Sequence, residues 1–364
     1  MGDSKDRIKE LEEELANTKY NKKTQHHIGL VKAKIAKLKE KAYSTGSGGG
    51  GGGYDVKKSG DATVCLLGFP SVGKSTLLNY LTNAQSEVAE YEFTTLDVIP
   101  GVMEYNYAKI QILDVPGIVE GAALGRGRGR EVLAVLRSAD LVLSLIDVNQ
   151  PHQYRALLKE IYDAGLRVNK VKPDVKIRKT DKGGISVGST LKLTKIDKRT
   201  IQSILKEYRI MNADVVIRTN ISDDELIDVI EGNKKYVRGI NVVTKADTVE
   251  PGKLEKVKEE LRPDLVVSAK SGMGMEELKD LIYNSLSFMR IYCKEINEPA
   301  DLEEPLIMRK GATLRNMCER LHKDFVKNFR YAKVWGKSAK FPGQVFKQPR
   351  HTLQDGDIVE IHVK

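Results

Sequence analysis

"GFPSVGKSTLLNYL", Gly68 to Leu81, follows the apolar run Val64 to Leu67 and opens a stretch of helical spacing. Gly68 to Ser75 satisfy G-x-x-x-x-G-K-[ST] between a strand and a helix, the context the motif requires. The loop is Gly68, Phe69, Pro70, Ser71, Val72 and Gly73. Its two bounding glycines let the backbone turn tightly enough to aim N–H groups at phosphate oxygens, and the helix that follows adds its positive end. Lys74 is expected to reach the β- and γ-phosphates and Ser75 to ligate Mg²⁺, with Thr76 beside it at the helix start. A glycine-bounded turn with a chance Lys-Ser pair would not explain why strand, loop and helix all agree.

Working outward, apolar strands alternate with amphipathic helices from Ala62 on, which predicts a mainly parallel sheet with helices on both faces. The strand candidates are Val64 to Leu67, Ile110 to Asp114, Leu141 to Asp147, Ile240 to Thr244 and Leu265 to Val267. Three of them end on chemistry. "DVPG" places Asp114, Val115, Pro116 and Gly117 at a strand terminus, with Asp114 expected to hold the metal through water and the Gly117 N–H to contact the γ-phosphate. "TKAD" places Thr244, Lys245, Ala246 and Asp247 after another strand, where an aspartate can accept both N–H groups of guanine and adenine would leave it unpaired. "SAK", Ser268, Ala269 and Lys270, can close over the guanine oxygen, so GTP is expected rather than ATP. Between loop and DVPG lies "EFTTL", where Phe93, Thr94 and Thr95 form the expected first switch. Thr95, with Thr94 as the second choice, would complete the metal shell only while the γ-phosphate is present. Lys74, Thr95 and Gly117 are the expected catalytic set. Ile118 stands where many small GTPases carry a water-orienting Gln, so slow intrinsic turnover is expected, and the Gly- and Arg-rich run after it reads as a second switch or as an RNA-binding repeat.

The 98 positions from Asp147 to Lys245 exceed the about 30 of one crossover, so a small α+β module is inserted. In it "DKGGISVG" reads as a turn between short strands, and Ser222 as a helix cap. Two amphipathic patterns near the start predict a helical hairpin, with a coiled-coil dimerisation arm as the competing reading, and a glycine run tethers it flexibly. After Met289 the order strand, helix from Thr313, and terminal strand fits a compact β-grasp-like domain. The net charge of +10 is concentrated: +7 over Asn17 to Tyr43, +8 over Arg167 to Thr200 and +10 over Pro305 to Arg350. Such clustering suits a polyanion, RNA or ribosome. No apolar run approaches the roughly 20 residues of a bilayer span, and three scattered cysteines form no disulfide or metal pattern, so a cytoplasmic protein without a membrane partner is expected.

The ordered set GFPSVGKST, EFTTL, DVPG, TKAD and SAK resembles the Obg-like branch of translation-factor-class GTPases. With the basic hairpin, the insertion and the C-terminal segment, the whole chain resembles the developmentally regulated GTP-binding protein (DRG) family. The resemblance implies an α/β P-loop GTPase (Ras-like) fold with an inserted S5D2-like module, an N-terminal helical hairpin and a C-terminal β-grasp (TGS) domain. The boundaries expected are 1–45 hairpin, 46–60 linker, 61–170 first part of the G domain, 171–239 insertion, 240–290 second part and 291–364 TGS. It further implies Mg²⁺-dependent hydrolysis of GTP to GDP, potassium stimulation, ribosome association and a DFRP-type partner; a monomer is expected. Two positions depart from the pattern. Thr244 replaces the usual Asn, which puts the bracing of the phosphate loop in question, and Ser71 replaces the Asn common in potassium-dependent relatives. Two functions remain open: a GTP-driven switch on the translating ribosome, or an RNA- or ribosome-binding scaffold with a mainly structural nucleotide.

Overall fold

The computed structural model describes residues 2–19, 21, 24–44, 60–82, 99–115 and 135–363, which fall into two compact units. The first unit comprises residues up to 44 with 135–137 and 160–237, and the second comprises 60–115, 138–159 and 238–363.

In the first unit α1 (Gly2–Asn17) and α2 (Gln25–Ser44) form an antiparallel hairpin. Leu11, Val31 and Ile35 are buried between them, on the apolar stripes the sequence shows. The inserted module contributes β6 (Val175–Lys179), β7 (Ile185–Ser189), α5 (Lys198–Glu207), β8 (Ala213–Ile217) and α6 (Asp223–Glu231). Its sheet order is β6-β8-β7, with β8 antiparallel to β6 and parallel to β7. The strands flanking DKGGISVG therefore exist but do not pair as a hairpin. β8 sits between them because its alternate residues Ala213, Val215 and Ile217 are the module's most buried strand side chains. Asp197 caps α5, and Ser222 with Glu225 forms a capping box on α6. α2 is packed on this module as well as tethered to it. Ala33 joins the module's apolar core, and Gly29 lies so close to α5 that a Cβ there would sit 2.8 Å from Thr200 Cγ2. Behind α6, Arg167 on β5 (Leu166–Val168) makes a buried bidentate pair with Asp228 at 2.6 and 2.7 Å.

In the second unit, β1 (Ala62–Leu67), β2 (Ile99–Tyr105), β3 (Ala108–Asp114), β4 (Leu141–Asp147), β9 (Lys235–Thr244) and β10 (Leu265–Val266) are ordered β10-β9-β4-β1-β3-β2. All neighbours are parallel except β2, which pairs antiparallel with β3. β1 and β4 are buried along their whole length, as continuous apolar runs at the centre of a parallel sheet must be. β2 carries no turn signal in the sequence: its two-residue turn is Asn106 (φ 48°) and Tyr107 (φ 65°), which adopts the hairpin conformation without a glycine to mark it. Around the sheet lie α3 (Lys74–Leu81), α4 (Gln153–Asp163), α7 (Pro251–Leu261) and α8 (Met275–Ser285). The C-terminal sheet orders β12 (Leu306–Arg309), β11 (Phe288–Cys293), β15 (Asp357–Val363), β13 (Phe329–Trp335) and β14 (Gln344–Phe346) side by side. α9 (Leu314–Leu321) packs on it through Leu314 and Met317, capped by Thr313. The helix from Thr313 breaks at His322, whose backbone is extended (φ −163°, ψ 142°) and whose side-chain Nδ1 caps the short α10 (Lys323–Lys327) by accepting the Asp324 N–H.

Candidate functional site

Leu67, Asp114, Asp147, Thr244 and Val266 are the last residues of parallel strands, so the segments after them meet at the carboxyl edge of the sheet. At the first of these, the phosphate-loop sequence folds into a tight turn. Gly68 has no room for a side chain: a Cβ would lie 2.9 Å from both Leu145 O and Val72 Cγ1. Gly73 sits at φ 98°, and Ser71 holds the left-handed region at φ 61° without being glycine. Lys74 Nζ donates to the carbonyls of Gly68 and Phe69, both at 3.1 Å, so the ammonium lies on the loop itself. Burial lowers its pKa, against the pull of Asp114. Pro70 and Thr76 flank the turn on its exposed side.

Ser75 Oγ lies 3.2 Å from Asp114 Oδ2. Burial raises the Asp114 carboxyl above its ordinary value, and Lys74 and Ser75 pull it back only in part. Its other oxygen, Oδ1, is buried with no hydrogen-bond partner. An orphaned carboxylate oxygen beside a hydroxyl is a donor set suited to a hard cation. Val115 follows Asp114 and is buried. Phe93, Thr94, Thr95, Pro116, Gly117 and Ile118 lie outside the described residues.

Beside the loop a cavity of about 300 Å³ is walled by Val72, Gly73, Thr76 and Leu77 on one side and by Thr244, Lys245, Asp247, Thr248, Val267, Ser268, Ala269 and Lys270 on the other. Ser268 Oγ donates to Asp247 Oδ1 at 2.6 Å and accepts from Ser271 N–H, which fixes the carboxylate in the wall. Ala246 N–H donates to Val267 O, joining the two motifs through their backbones. Lys245 adopts φ 59°, and its ammonium reaches Asp147 Oδ2 at 2.7 Å. Burial would raise the Asp147 carboxyl, but hydrogen bonds from Lys245 and Asn149 hold it below the usual range. Thr244 corrects the doubt raised by the missing Asn: its hydroxyl lies 2.8 Å from Val72 O, so a threonine supplies the bond that braces the phosphate loop. Sequence reasoning passed over Asp147, Asn149 and Thr248. Asn149 Nδ2 donates to Thr248 Oγ1 and Lys253 Nζ to Asn149 Oδ1. The available signal was Asp147, a carboxylate ending a strand otherwise wholly apolar but for Ser144.

Three family descriptions follow one another from residue 63 to residue 363: "50S ribosome-binding GTPase" matches residues 63–179, "C-terminal region of MMR_HSR1 domain" residues 182–288 and "TGS domain" residues 289–363. An uncharacterised GTP-binding protein of Methanocaldococcus jannaschii is 54% identical over 98% of this chain and 92% of its own length. Developmentally-regulated G-protein 3 of Arabidopsis thaliana is 46% identical (98% and 97%), and developmentally-regulated GTP-binding protein 2 of Homo sapiens 42% (98% of each). The chain belongs to the DRG family. The DRG family is one of GTP-binding GTPases, and this member combines the P-loop GTPase fold with a C-terminal TGS domain. Among the described residues no helix is long and apolar enough to cross a membrane.

Proposed function

We propose that this DRG-family chain binds GTP in the cavity beside Gly73, hydrolyses it slowly to GDP and phosphate, and acts as a ribosome-associated switch in translation. The observation that carries the nucleotide reading is the meeting of the Lys74 loop and the Ser268-anchored Asp247 carboxylate around one cavity. Asp247 recognises the two guanine N–H donors, Lys245 lays its stem along the base, and Ser268, Ala269 and Lys270 close over the guanine oxygen. The backbone from Gly68 to Thr76 with Lys74 takes the phosphates. Moving Lys74 from two neutral carbonyls to charged oxygens strengthens its hydrogen bonds. Ser75, Thr95 and, through water, Asp114 would hold Mg²⁺, which when bound neutralises charge on the β- and γ-phosphates. Lys74, Thr95 and the Gly117 N–H are the catalytic groups; with Ile118 in the Gln position, water positioning falls to switch residues, potassium or the ribosome.

The chain's division into hairpin, linker, interrupted G domain and TGS region gives the switch its contact surfaces, and a DFRP-type protein is the expected partner of a cytoplasmic monomer. Calorimetry of Asp247→Asn tests the base reading. The variant is expected to lose at least about 10-fold in GTP affinity and its preference over ATP; undiminished guanine selectivity would refute it. Ribosome pelleting with GTP- and GDP-loaded chain tests the switch, and equal binding would favour the scaffold function.

A further inference from the structure

The structure sorts the basic segments by what their charges already meet. In the hairpin, Lys32 pairs with Asp223 and Asp224, Lys37 with Glu207, and Lys39 with Glu12 and Asp163. Near the C-terminus Arg309, Arg315, Arg320 and Lys333 are likewise paired. Lys310, Lys337, Lys340 and Lys347 there are exposed and, among the described residues, without an ion-pair partner; what sets the inserted module apart is that its unpaired cations gather on one face of one helix. On α5, Thr200, Ile201, Ile204 and Leu205 face the module's core, while Ser203 and Glu207 meet α2 through His26 and Lys37. The remaining face carries Lys198, Arg199, Gln202 and Lys206, continued by Lys195 before the helix and Arg209 after it. All five cations are exposed and, among the described residues, none has an ion-pair partner. Of the two acidic residues of this segment, Asp197 caps α5 and lies in the field of Arg199 without a direct ion pair, and Glu207 pairs with Lys37.

We propose that this face of α5 binds the phosphodiester backbone of double-helical RNA. Arg199 and Lys206 are separated by about 10 Å of helix rise, so the ridge can meet several phosphates at once. It offers no aromatic surface: Tyr208, the one ring in the segment, is turned inward with its hydroxyl 2.9 Å from Glu231. Single strands are gripped by stacking on exposed rings, whereas a duplex is held through phosphates and shape, which favours the duplex and predicts indifference to sequence. The choice of RNA as the polyanion rests on the ribosome reading above.

The test is fluorescence anisotropy of the full chain, loaded with a non-hydrolysable GTP analogue, on an RNA duplex of about 16 base pairs, titrated between about 50 and 200 mM salt. Lys198→Gln/Arg199→Gln/Lys206→Gln is expected to lower affinity at least about 10-fold at the low-salt end and to reduce the salt slope by about 2 to 3. Lys337→Gln/Lys340→Gln/Lys347→Gln is expected to keep the slope of the unaltered chain. An unchanged slope in the first variant, an equal loss in the second, or binding of the unaltered chain to phosphatidylserine vesicles or an acidic peptide but not to the duplex each overturns the proposal. Calorimetric GTP uptake by nucleotide-free preparations of the same chains separates the two readings, because its absence in the unaltered chain refutes the nucleotide site without touching the slope. Should the triple variant alone lose GTP uptake, Lys195→Gln/Arg209→Gln, outside the helix, decides by the same slope.

Discussion

Thr244 shows how one side chain sets the geometry of a loop 172 positions away. Its hydroxyl has a single proton, shared between Val72 O at 2.8 Å and Ile146 O at 3.3 Å, and the residue is buried. Thr244→Val keeps the shape and removes the donor, leaving the Val72 carbonyl without it at a cost of about 1–3 kcal/mol. Calorimetry is expected to show GTP affinity falling about 10-fold, while Thr244→Asn, whose amide can donate in its place, stays within a few-fold. A valine variant with unaltered affinity would mean that the brace does not position the loop. The phosphate loop itself was legible in the sequence because its glycines, lysine and serine act over eight consecutive positions. The Thr244 bond was not, because it depends on strands distant in sequence ending side by side. The same holds for Asp147, whose partner Lys245 lies 98 positions on.

Among the elements, periodicity located helices and strands well and their partners poorly. The stripes Ile8, Leu11, Leu15 and Val31, Ile35, Leu38 do meet as a hairpin, and continuous apolar runs became β1 and β4. Pairing order is not local information, so β8 between β6 and β7 could not be read from the turn DKGGISVG. Charge runs were ambiguous for a similar reason: the lysines of α2 read as an outward basic surface, yet Lys32 and Lys37 hold α2 against α5 and α6. In the C-terminal sheet, three strands converge on one carboxylate. Burial would raise Glu360 on β15, but hydrogen bonds from Lys294, just past β11, from Lys333 on β13 and from His362 hold it down at about 2, against an ordinary 4.5. A depressed carboxyl pKa contributes stability that is complete above the unfolded value and lost as pH falls from about 4.5 toward 2. The contribution is on the order of 3 kcal/mol. Trp335, the sole tryptophan, lies on β13 with Lys294 Nζ 5.2 Å from its ring, so its fluorescence reports this sheet. Urea melts followed at Trp335 are expected to lose stability steeply over that window. Glu360→Gln is expected to be less stable at neutral pH and nearly flat below pH 4.5; an equally steep acid limb in the variant would place the titrating group elsewhere.

At the scale of the second unit, the cavity beside Gly73 and the C-terminal sheet occupy opposite ends of the same strands. Arg309 on β12 pairs with Asp140, which accepts the Thr63 N–H, and Arg320 on α9 pairs with Asp61, which accepts the Lys109 N–H. Both carboxylates stand where β1, β3 and β4 begin, whereas the cavity lies where β1, β9 and β10 end, about 20 Å away for a six-residue strand. Phe288 and Ile307 of the C-terminal sheet are buried in the same apolar cluster as Leu66, Ile110 and Leu143 of the central one. The shared cluster and the two ion pairs together join the sheets, so ligand binding at the far end should raise the melting temperature seen at Trp335. GTP at 100 times its dissociation constant adds about 2.7 kcal/mol, a shift of a few degrees for a domain of this size. Arg309→Ala/Arg320→Ala removes two half-exposed pairs worth about 0.5–1 kcal/mol each and leaves the cavity intact. The variant is expected to bind GTP with unaltered affinity yet transmit less than about half of the shift to Trp335, because the sheet can then melt while the nucleotide stays bound. If the full shift persists, the apolar cluster alone couples the ends and the ion pairs only orient the join; if the unaltered chain shows none, the two sheets unfold independently.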